Sequence, residues 1–423
     1  MQKVYFKTFG CRTNLYDTQV MISAAKGWQR VRTESEADAI VINSCTVTNS
    51  ADSAVRAYAR RVRRDYPNAK LLLTGCGAGA LGERLLEGGA IDGAFGHSEK
   101  LRITSFLTAA EPFLRLGDTN APIEEAAIAS FAGKKRAFIK IQEGCDFACS
   151  YCIVPTTRGR ARSQKPQIVL DQIRRLIDGG YMEFVLTGTN TGGYGSDVGS
   201  SLSSLIAQIG KIDGVKRLRL GSIEPAQIGE ELIDLLDAPF MAKHLHIALQ
   251  HTDDRILAAM NRRNRFESDR ALLTQIASRG YAIGTDYIAG FPSESRAIHN
   301  ESVLRLNDLP LTHIHLFRFS PREGTEAAQM KVDVTGDEAA ARQVEIEAAI
   351  EAKRAKFYEA HRRLEVLIEN DNSGFDQYFS RVHFETPKPL SGFVPTTNYT
   401  YNKVKITATT TTAQDISMHT TLS

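Results

Sequence analysis

The stretch "EGCDFACSYC", Glu143 to Cys152, places Cys145, Cys149 and Cys152 at the spacing C-x3-C-x2-C, with no fourth cysteine beside them. A structural zinc site closes with four ligands. Here the nearest downstream histidine is His244, far along the chain. Iron–sulfur clusters are also held by cysteine thiolates. A four-iron cluster on three thiolates keeps one iron free of protein ligands and open to a small molecule. The missing fourth ligand then reads as functional, with zinc as the competing reading.

After this stretch, "AFIKIQ", "MEFVLTG", "KRLRLGS", "HLHIALQ", "AIGTDYI" and "THIHLFRFS" are strand candidates. Helical patterns such as "PQIVLDQIRRLIDGG" and "SDRALLTQIASRG" lie between them and close on glycine. Six strand–helix repeats are too few for a closed eight-stranded barrel. A partial, open parallel (β/α)6 barrel is expected, with its chemistry at the strand C-termini. Before the stretch, Leu116 to Lys135 has weak periodicity and reads as a linker.

Further upstream, "KVYFKTFGC", "AIVINSC" and "KLLLTGC" are β-rich runs ending at Cys11, Cys45 and Cys76. Helical stretches separate them, as in βαβ units feeding a Rossmann-like parallel sheet. Ligands of such sheets gather beyond the strand carboxyl ends, so these cysteines should converge on one edge. Three small buried core residues are the alternative. Past the barrel, Gly336 to about Ile368 reads as one or two charged helices. The tail from Glu369 reads as a small β domain, with "TATTTTAQDISMHTTLS" a candidate frayed end. The expected fold class is α/β, divided at residues 1–125, 134–365 and 366–423.

The 423 residues suffice for several domains, and 42% hydrophobic with 24% charged residues is an ordinary globular composition. No apolar run approaches the roughly 20 residues of a membrane span. "MQKVYFKTFGC" lacks signal-peptide features, so a cytoplasmic location is expected. Stable disulfides are uncommon there, and clustered cysteines lean toward metal or catalysis.

"CDFACSYC", with Tyr151 just before its last cysteine, resembles the signature of radical S-adenosylmethionine (SAM) enzymes. The resemblance implies that the open iron chelates the amino and carboxylate groups of SAM. It also implies that an electron from the cluster cleaves SAM to methionine and a 5′-deoxyadenosyl radical. "TFGCRTNLYDT", "INSCTVTN" and "TGC" resemble the N-terminal domain of the methylthiotransferases. In that family three cysteines hold a second four-iron cluster, which assigns Cys11, Cys45 and Cys76. "IQEGCDFACSYCIVPTTRGRARS", "VLTGTNTGGYG", "SIEP", "HLHIALQ" and "DYIAGFP" extend the likeness to about residue 330. By the same resemblance Gly188, Thr189 and Asn190 should approach the SAM methionyl group. Ser222, Glu224 and Gln250 are candidate polar contacts to SAM, and Tyr151 belongs to the same cofactor site. "TGGYG" is not a phosphate loop, since it lacks the G-x4-G-K-[ST] frame.

This chain departs from the family at His251 and Thr252, where Ser-Gly is common, and at Ser293, where glycine is usual. Its C-terminal segment stands where the family carries an RNA-binding β-barrel, the TRAM domain, without a sharp motif of it.

In "DSAVRAYARRVRRDY", Val55, Ala59, Val62 and Tyr66 share one helical face, and Arg56, Arg60, Arg63 and Arg64 line an adjacent one. Arginine suits phosphate, so this is either an RNA-binding stripe or a solvated face. Arg158, Arg160 and Arg162 form a second basic cluster, and Arg262, Arg263 and Arg265 a third. On a chain of net charge +3 these clusters favour a polyanionic partner. Arg56, Arg60, Arg63, Arg158 and Arg162 are the candidate substrate contacts. His244 with His246, and His313 with His315, each share a strand face. They resemble a metal pair, but the family likeness explains "HLHIALQ" as a barrel strand.

"RGRARS" with "TGTNTGGYG" most resembles the members that modify threonylcarbamoyladenosine at tRNA position 37, beside the anticodon. The resemblance thus implies a monomeric tRNA methylthiotransferase with two 4Fe-4S clusters, SAM, and a flavodoxin-like or ferredoxin-like electron donor. The rivals are methylthiolation of an aspartate in a ribosomal protein, and a non-catalytic zinc protein that binds nucleic acid.

Overall fold

The computed structural model describes residues 1–125, 128, 131, 135–402 and 405–409. Most of the stretch read as a frayed end lies outside these residues. Six parallel strands form the first sheet: β1 (Gln2–Thr8), β2 (Trp28–Arg30), β3 (Ala39–Ser44), β4 (Lys70–Gly75), β5 (Gly93–Phe95) and β6 (Phe113–Arg115). Their order is β2-β1-β3-β4-β5-β6. Every residue of β3 is buried, which is why "AIVINS" is a nearly continuous apolar run. The three-residue strands β2, β5 and β6 are too short to show a period. The sheet is therefore wider than the three cysteine-ending runs suggest. Helix Asn49–Asp65 buries Val55, Ala59 and Val62, while Tyr66 falls just past its end and is half-buried.

The barrel follows. Its strands are β7 (Arg136–Lys140), the short pair β8 (Gln142–Glu143) and β9 (Arg162–Ser163), then β10 (Glu183–Thr187), β11 (Arg217–Leu220), β12 (His244–His246), β13 (Ala282–Ala289) and β14 (Leu311–Arg318). Parallel pairing joins β7, β10 and β11, and separately β12, β13 and β14. Bridges Leu218–Met241 and Ile223–Ile247 connect the two halves. The result is the open six-stranded parallel barrel. Antiparallel β8 and β9 pin together the two ends of the loop that carries Cys145, Cys149 and Cys152.

The segment read as a linker is not loose where it is described. Ile123, Ile128 and Phe131 are buried, and the last two join the barrel core. Irregular backbone gives no periodic signal even when its side chains pack.

One 25-residue helix, Gly336–Ala360, leads into a second sheet. This comprises β15 (Leu364–Asn370), β16 (Ser373–Phe375), β17 (Arg381–Phe384), β18 (Phe393–Thr396), β19 (Tyr399–Tyr401) and β20 (Ile406–Ala408), ordered β18-β15-β16-β17-β20-β19. A buried ionic lattice fastens it to the barrel floor. Glu183 pairs with Arg217 (3.2 Å) and Arg219 (2.6 Å), and Arg217 reaches Glu365 at 2.7 Å. Arg136 reaches Glu369 at 3.0 Å. The Phe379 ring sits in the middle of this floor, against Arg12, Arg136, Arg219 and His244. Among the described residues no helix is long and apolar enough to cross a membrane.

The departures at 251 and 293 meet in space. His251 stacks on Tyr287 with centroids 4.8 Å apart, and its Nε2 lies 3.7 Å from Glu294 Oε1. Ser293, just before that glutamate, is exposed with φ of +72°. A serine there carries about 1–2 kcal/mol of left-handed strain, against about 0.5–1 kcal/mol of extra chain entropy for glycine. Ser293→Gly should therefore raise the melting temperature slightly. A lower value would show that the serine side chain makes a stabilising contact.

Candidate active site

Cys11, Cys45 and Cys76 follow strands β1, β3 and β4, which are neighbours in the sheet. Two glycines let these chain ends crowd together. A Cβ on Gly10 (φ +93°) would lie 2.8 Å from the Cys45 Cβ, and one on Gly75 (φ +89°) 2.4 Å from the Ser44 carbonyl oxygen. Cys76 N–H donates to that same oxygen at 3.1 Å. The Cys76 thiol lies within electrostatic reach of Cys11 and Cys45. The expected convergence is therefore present.

The second trio occupies the loop after β8. Burial pushes the Cys152 thiol up to about 12 and Cys76 to about 11, and it also raises Cys45, Cys145 and Cys149. Buried thiols this close cannot ionise together without a cationic partner, and a bound metal cluster supplies that charge. Phe147 N–H already points at Cys145 Sγ, 3.5 Å away. Such N–H donors stabilise cluster-bound sulfur. Zinc fits less well. Its thiolates bind at about 2.3 Å, whereas among the described residues the donor sets within 4.8 Å of one another contain no cysteine.

A cavity of about 170 Å³ borders this trio, lined by Phe147, Cys149, Glu224, Asn261, Arg262 and Arg263. Arg262 forms an ion pair with Glu224 across its wall and lies 4.0 Å from Cys149 Sγ. Burial raises the Glu224 carboxyl, and Arg262 opposes that rise. Gly188, Thr189 and Asn190 pack onto the cysteine loop from the end of β10. Thr189 Oγ1 accepts from Gly144 N at 3.2 Å, and Asn190 N donates to Gln142 Oε1 at 2.8 Å. Asn190 Oδ1 is buried without a partner, a free acceptor in the loop expected beside SAM. Gln250, at φ +71°, lies beyond β12 and bridges to Tyr287 of β13, and Ser222 is exposed past β11. Tyr151 meets Phe291 edge-on at 6.4 Å.

Between the trios lies a buried charge network. Lys100, Lys140 and Arg158 face Asp17, Glu124 and Glu143, with N–O distances of 2.5 to 3.2 Å. Arg158 Nε also donates to Cys76 Sγ at 3.3 Å, and its Nη2 to Asn14 Oδ1 at 2.6 Å. Burial alone would raise Asp17 and Glu143, but these cations hold both well below the ordinary carboxylate range. Burial and then Arg158 depress His97 to about 3, so it is neutral at physiological pH.

This placement corrects the substrate contact expected of Arg158, while Arg162 and Arg63 are half-buried and bonded within the protein. Arg158 is buried and fully engaged in the network, out of reach of a phosphate. The Arg162 guanidinium donates to the Arg158 and Arg160 carbonyls. Arg63 pairs with Asp92 at 2.6 Å. Arg60 is exposed, and among the described residues Arg56 donates only to Ser53, at 2.9 Å. Arg56 lines a cavity of about 580 Å³ that also touches Cys76, His97 and Arg322. One histidine of each pair meets Asp286, with His246 Nε2 at 3.1 Å and His315 Nδ1 at 3.3 Å from Oδ1, while His244 and His313 meet edge-on at 5.6 Å.

Sequence reasoning missed the charge network. Its signals were a lone lysine, Lys140, inside an apolar strand, and Asn14 with Asp17 one helical turn apart.

Residues 3–96 match the family described as uncharacterized protein family UPF0004, and residues 139–302 match the radical SAM superfamily. A Helicobacter pylori (strain J99) protein named a methylthiotransferase is 46% identical over 92% of this chain and 95% of its own. The threonylcarbamoyladenosine tRNA methylthiotransferase of Bacillus subtilis is 34% identical, covering 79% of this chain and 77% of that one. In fold, the chain resembles the radical SAM methyltransferase TsrM of Kitasatospora setae, solved with cobalamin and a 4Fe-4S cluster. The TM-score is 0.55 at 15% identity, over 75% of each chain. A radical SAM domain carries a 4Fe-4S cluster and SAM, and the trio at Cys145, Cys149 and Cys152 fits the cluster. With relatives this similar along nearly its whole length, the chain belongs to the radical SAM methylthiotransferases.

Proposed function

We propose that this enzyme methylthiolates threonylcarbamoyladenosine at position 37 of tRNA, using two 4Fe-4S clusters and SAM. The observation that carries the reading is the pair of cysteine trios on two domains, joined by Arg158, which touches Cys76 and Glu143 at once. The relatives from Bacillus subtilis and Aquifex aeolicus, 34% and 32% identical, are named for that nucleoside.

Cys145, Cys149 and Cys152 hold one cluster, and Cys11, Cys45 and Cys76 the second, where sulfur is delivered. Once bound, the cluster and SAM supply a radical able to remove hydrogen from an unactivated aromatic C–H, beyond the reach of acid–base side chains. Gly188, Thr189, Asn190, Ser222, Glu224, Gln250 and Tyr151 orient SAM. The network around Asp17 keeps the domains in register, so that SAM and base are held in line away from solvent. The enzyme works as a cytoplasmic monomer with a flavodoxin-like or ferredoxin-like donor.

Arg56 and Arg60 contact the RNA backbone. Changing both to alanine should weaken tRNA binding and flatten its salt dependence, because fewer counterions are released. An unchanged slope would leave that face merely solvated.

The substrate is tested by mass spectrometry of digested total tRNA. A strain lacking the protein should lose the methylthio nucleoside and accumulate its parent, lighter by about 46 mass units for SCH3 against H on one base. Unchanged tRNA with a ribosomal protein lighter by that amount would move the activity to the protein substrate.

A further inference from the structure

Arg12 opens the helix Arg12–Ala24 directly after Cys11, half-buried, with its guanidinium 4.8 Å from the Phe379 ring centroid. The arginines around it are matched. Arg136 has Glu369, Arg219 has Glu183, and Arg262 has Glu224. Among the described residues, no carboxylate or carbonyl accepts a hydrogen bond from Arg12. Asp286 acts on it electrostatically but is itself held by His246 and His315. Arg136 and Arg219 lie close by, around the same Phe379 ring. A desolvated guanidinium with five unused donors is ready-made for a bidentate carboxylate. The same positive surroundings disfavour a cation on His246, Asp286 and His315.

Position narrows the ligand. Arg12 adjoins Cys11 of one trio. Asp286, on the barrel strand β13, accepts through its backbone carbonyl from the N–H of Gln250 at 2.9 Å, one of the expected SAM contacts. Arg12 therefore stands beside Cys11 and over the Phe379 ring that floors the barrel, beneath the strand C-terminal ends at which a barrel enzyme holds its substrate. Threonylcarbamoyladenosine differs from adenosine by an N6 substituent that ends in a free carboxylate.

We propose that Arg12 selects the substrate by binding the carboxylate of the N6 substituent on the target adenosine. This rests on the tRNA reading above. It makes Arg12 a recognition residue, with no part in cluster ligation.

The test uses iron-loaded protein under anaerobic conditions and three synthetic anticodon stem-loops. Position 37 carries threonylcarbamoyladenosine, its carboxylate methyl ester, or plain adenosine. The unaltered protein should bind the acid about tenfold more tightly than the ester, as losing one charge-assisted pair implies. Arg12→Ala, checked for unchanged iron content, should bring the two within about twofold. Retention of the preference by this variant would overturn the proposal. An equal loss on all three RNAs would also overturn it, since the bound anion would then be a backbone phosphate. Should Arg12→Ala lose iron, equal affinity of the unaltered protein for acid and ester would overturn it alone. If the unaltered protein does not distinguish threonylcarbamoyladenosine from adenosine, the substrate reading itself falls.

Discussion

Protein in which Cys145, Cys149 and Cys152 are all replaced by alanine is expected to lose SAM cleavage completely and keep about half of its iron. The trios lie on separate elements. One is a loop clamped by β8 and β9; the other comprises the ends of β1, β3 and β4. Removing the loop thiols leaves the sheet edge intact, so Cys11, Cys45 and Cys76 should still hold their cluster. The loop stays in place, because Gly188, Thr189 and Asn190 pack on it through backbone and Gln142 contacts that use no cysteine. The reciprocal triple variant, at Cys11, Cys45 and Cys76, should also keep about half the iron. It should cleave SAM but insert no sulfur. Iron content and deoxyadenosine release measured on both proteins decide the matter. Deoxyadenosine at the wild-type rate from the first variant would refute the assignment. Complete loss of iron from either would mean that the two sites are not independent.

Residues whose role is local were legible in the sequence. The six cysteines, the parallel barrel strands and the buried face Val55–Ala59–Val62 each declare themselves through spacing or period. Arg63, Arg158 and Arg262 do not. A short run of arginines looks the same whether its side chains face solvent or turn inward, and the carboxylates that draw them in lie far away in sequence. Asp17 is 141 residues from Arg158, and Asp92 is 29 from Arg63. The floor of the barrel was hidden for the same reason. Phe379 lies in the turn between β16 and β17 of the C-terminal sheet, yet its ring packs on Arg136 and Arg219 of barrel strands well over a hundred residues earlier. The basic clusters were real features of the chain, but Arg158 and Arg262, one member of each of two clusters, serve as internal counter-charges.

Arg158→Met should be among the most destabilising single changes in this protein. Three cations, Lys100, Lys140 and Arg158, balance three carboxylates, Asp17, Glu124 and Glu143, and each of the six side chains is at most 9% exposed. Methionine fills much of the volume but leaves two cations for three anions. Breaking one partner out of a buried ionic set costs about 3–5 kcal/mol, because a charge remains without compensation. The deficit should depend on pH, and its sign follows from which pKa moves. In the native protein Asp17 and Glu143 are depressed, so their contribution is complete above the ordinary carboxylate range and is lost only as pH falls through their lower native values. In the variant one carboxylate is uncompensated and its folded pKa rises, so it destabilises more as pH climbs through that value. The difference from wild type should therefore be largest at neutral pH and shrink toward about pH 4. Removing an anion as well, in Arg158→Met with Glu143→Gln, restores two against two and should recover part of the loss. Denaturation midpoints of the three proteins at pH 7 and pH 5 measure all of this. A single variant within about 1 kcal/mol of wild type at pH 7 would show that water already solvates the site, and that these charges do not hold the two cysteine-bearing domains together.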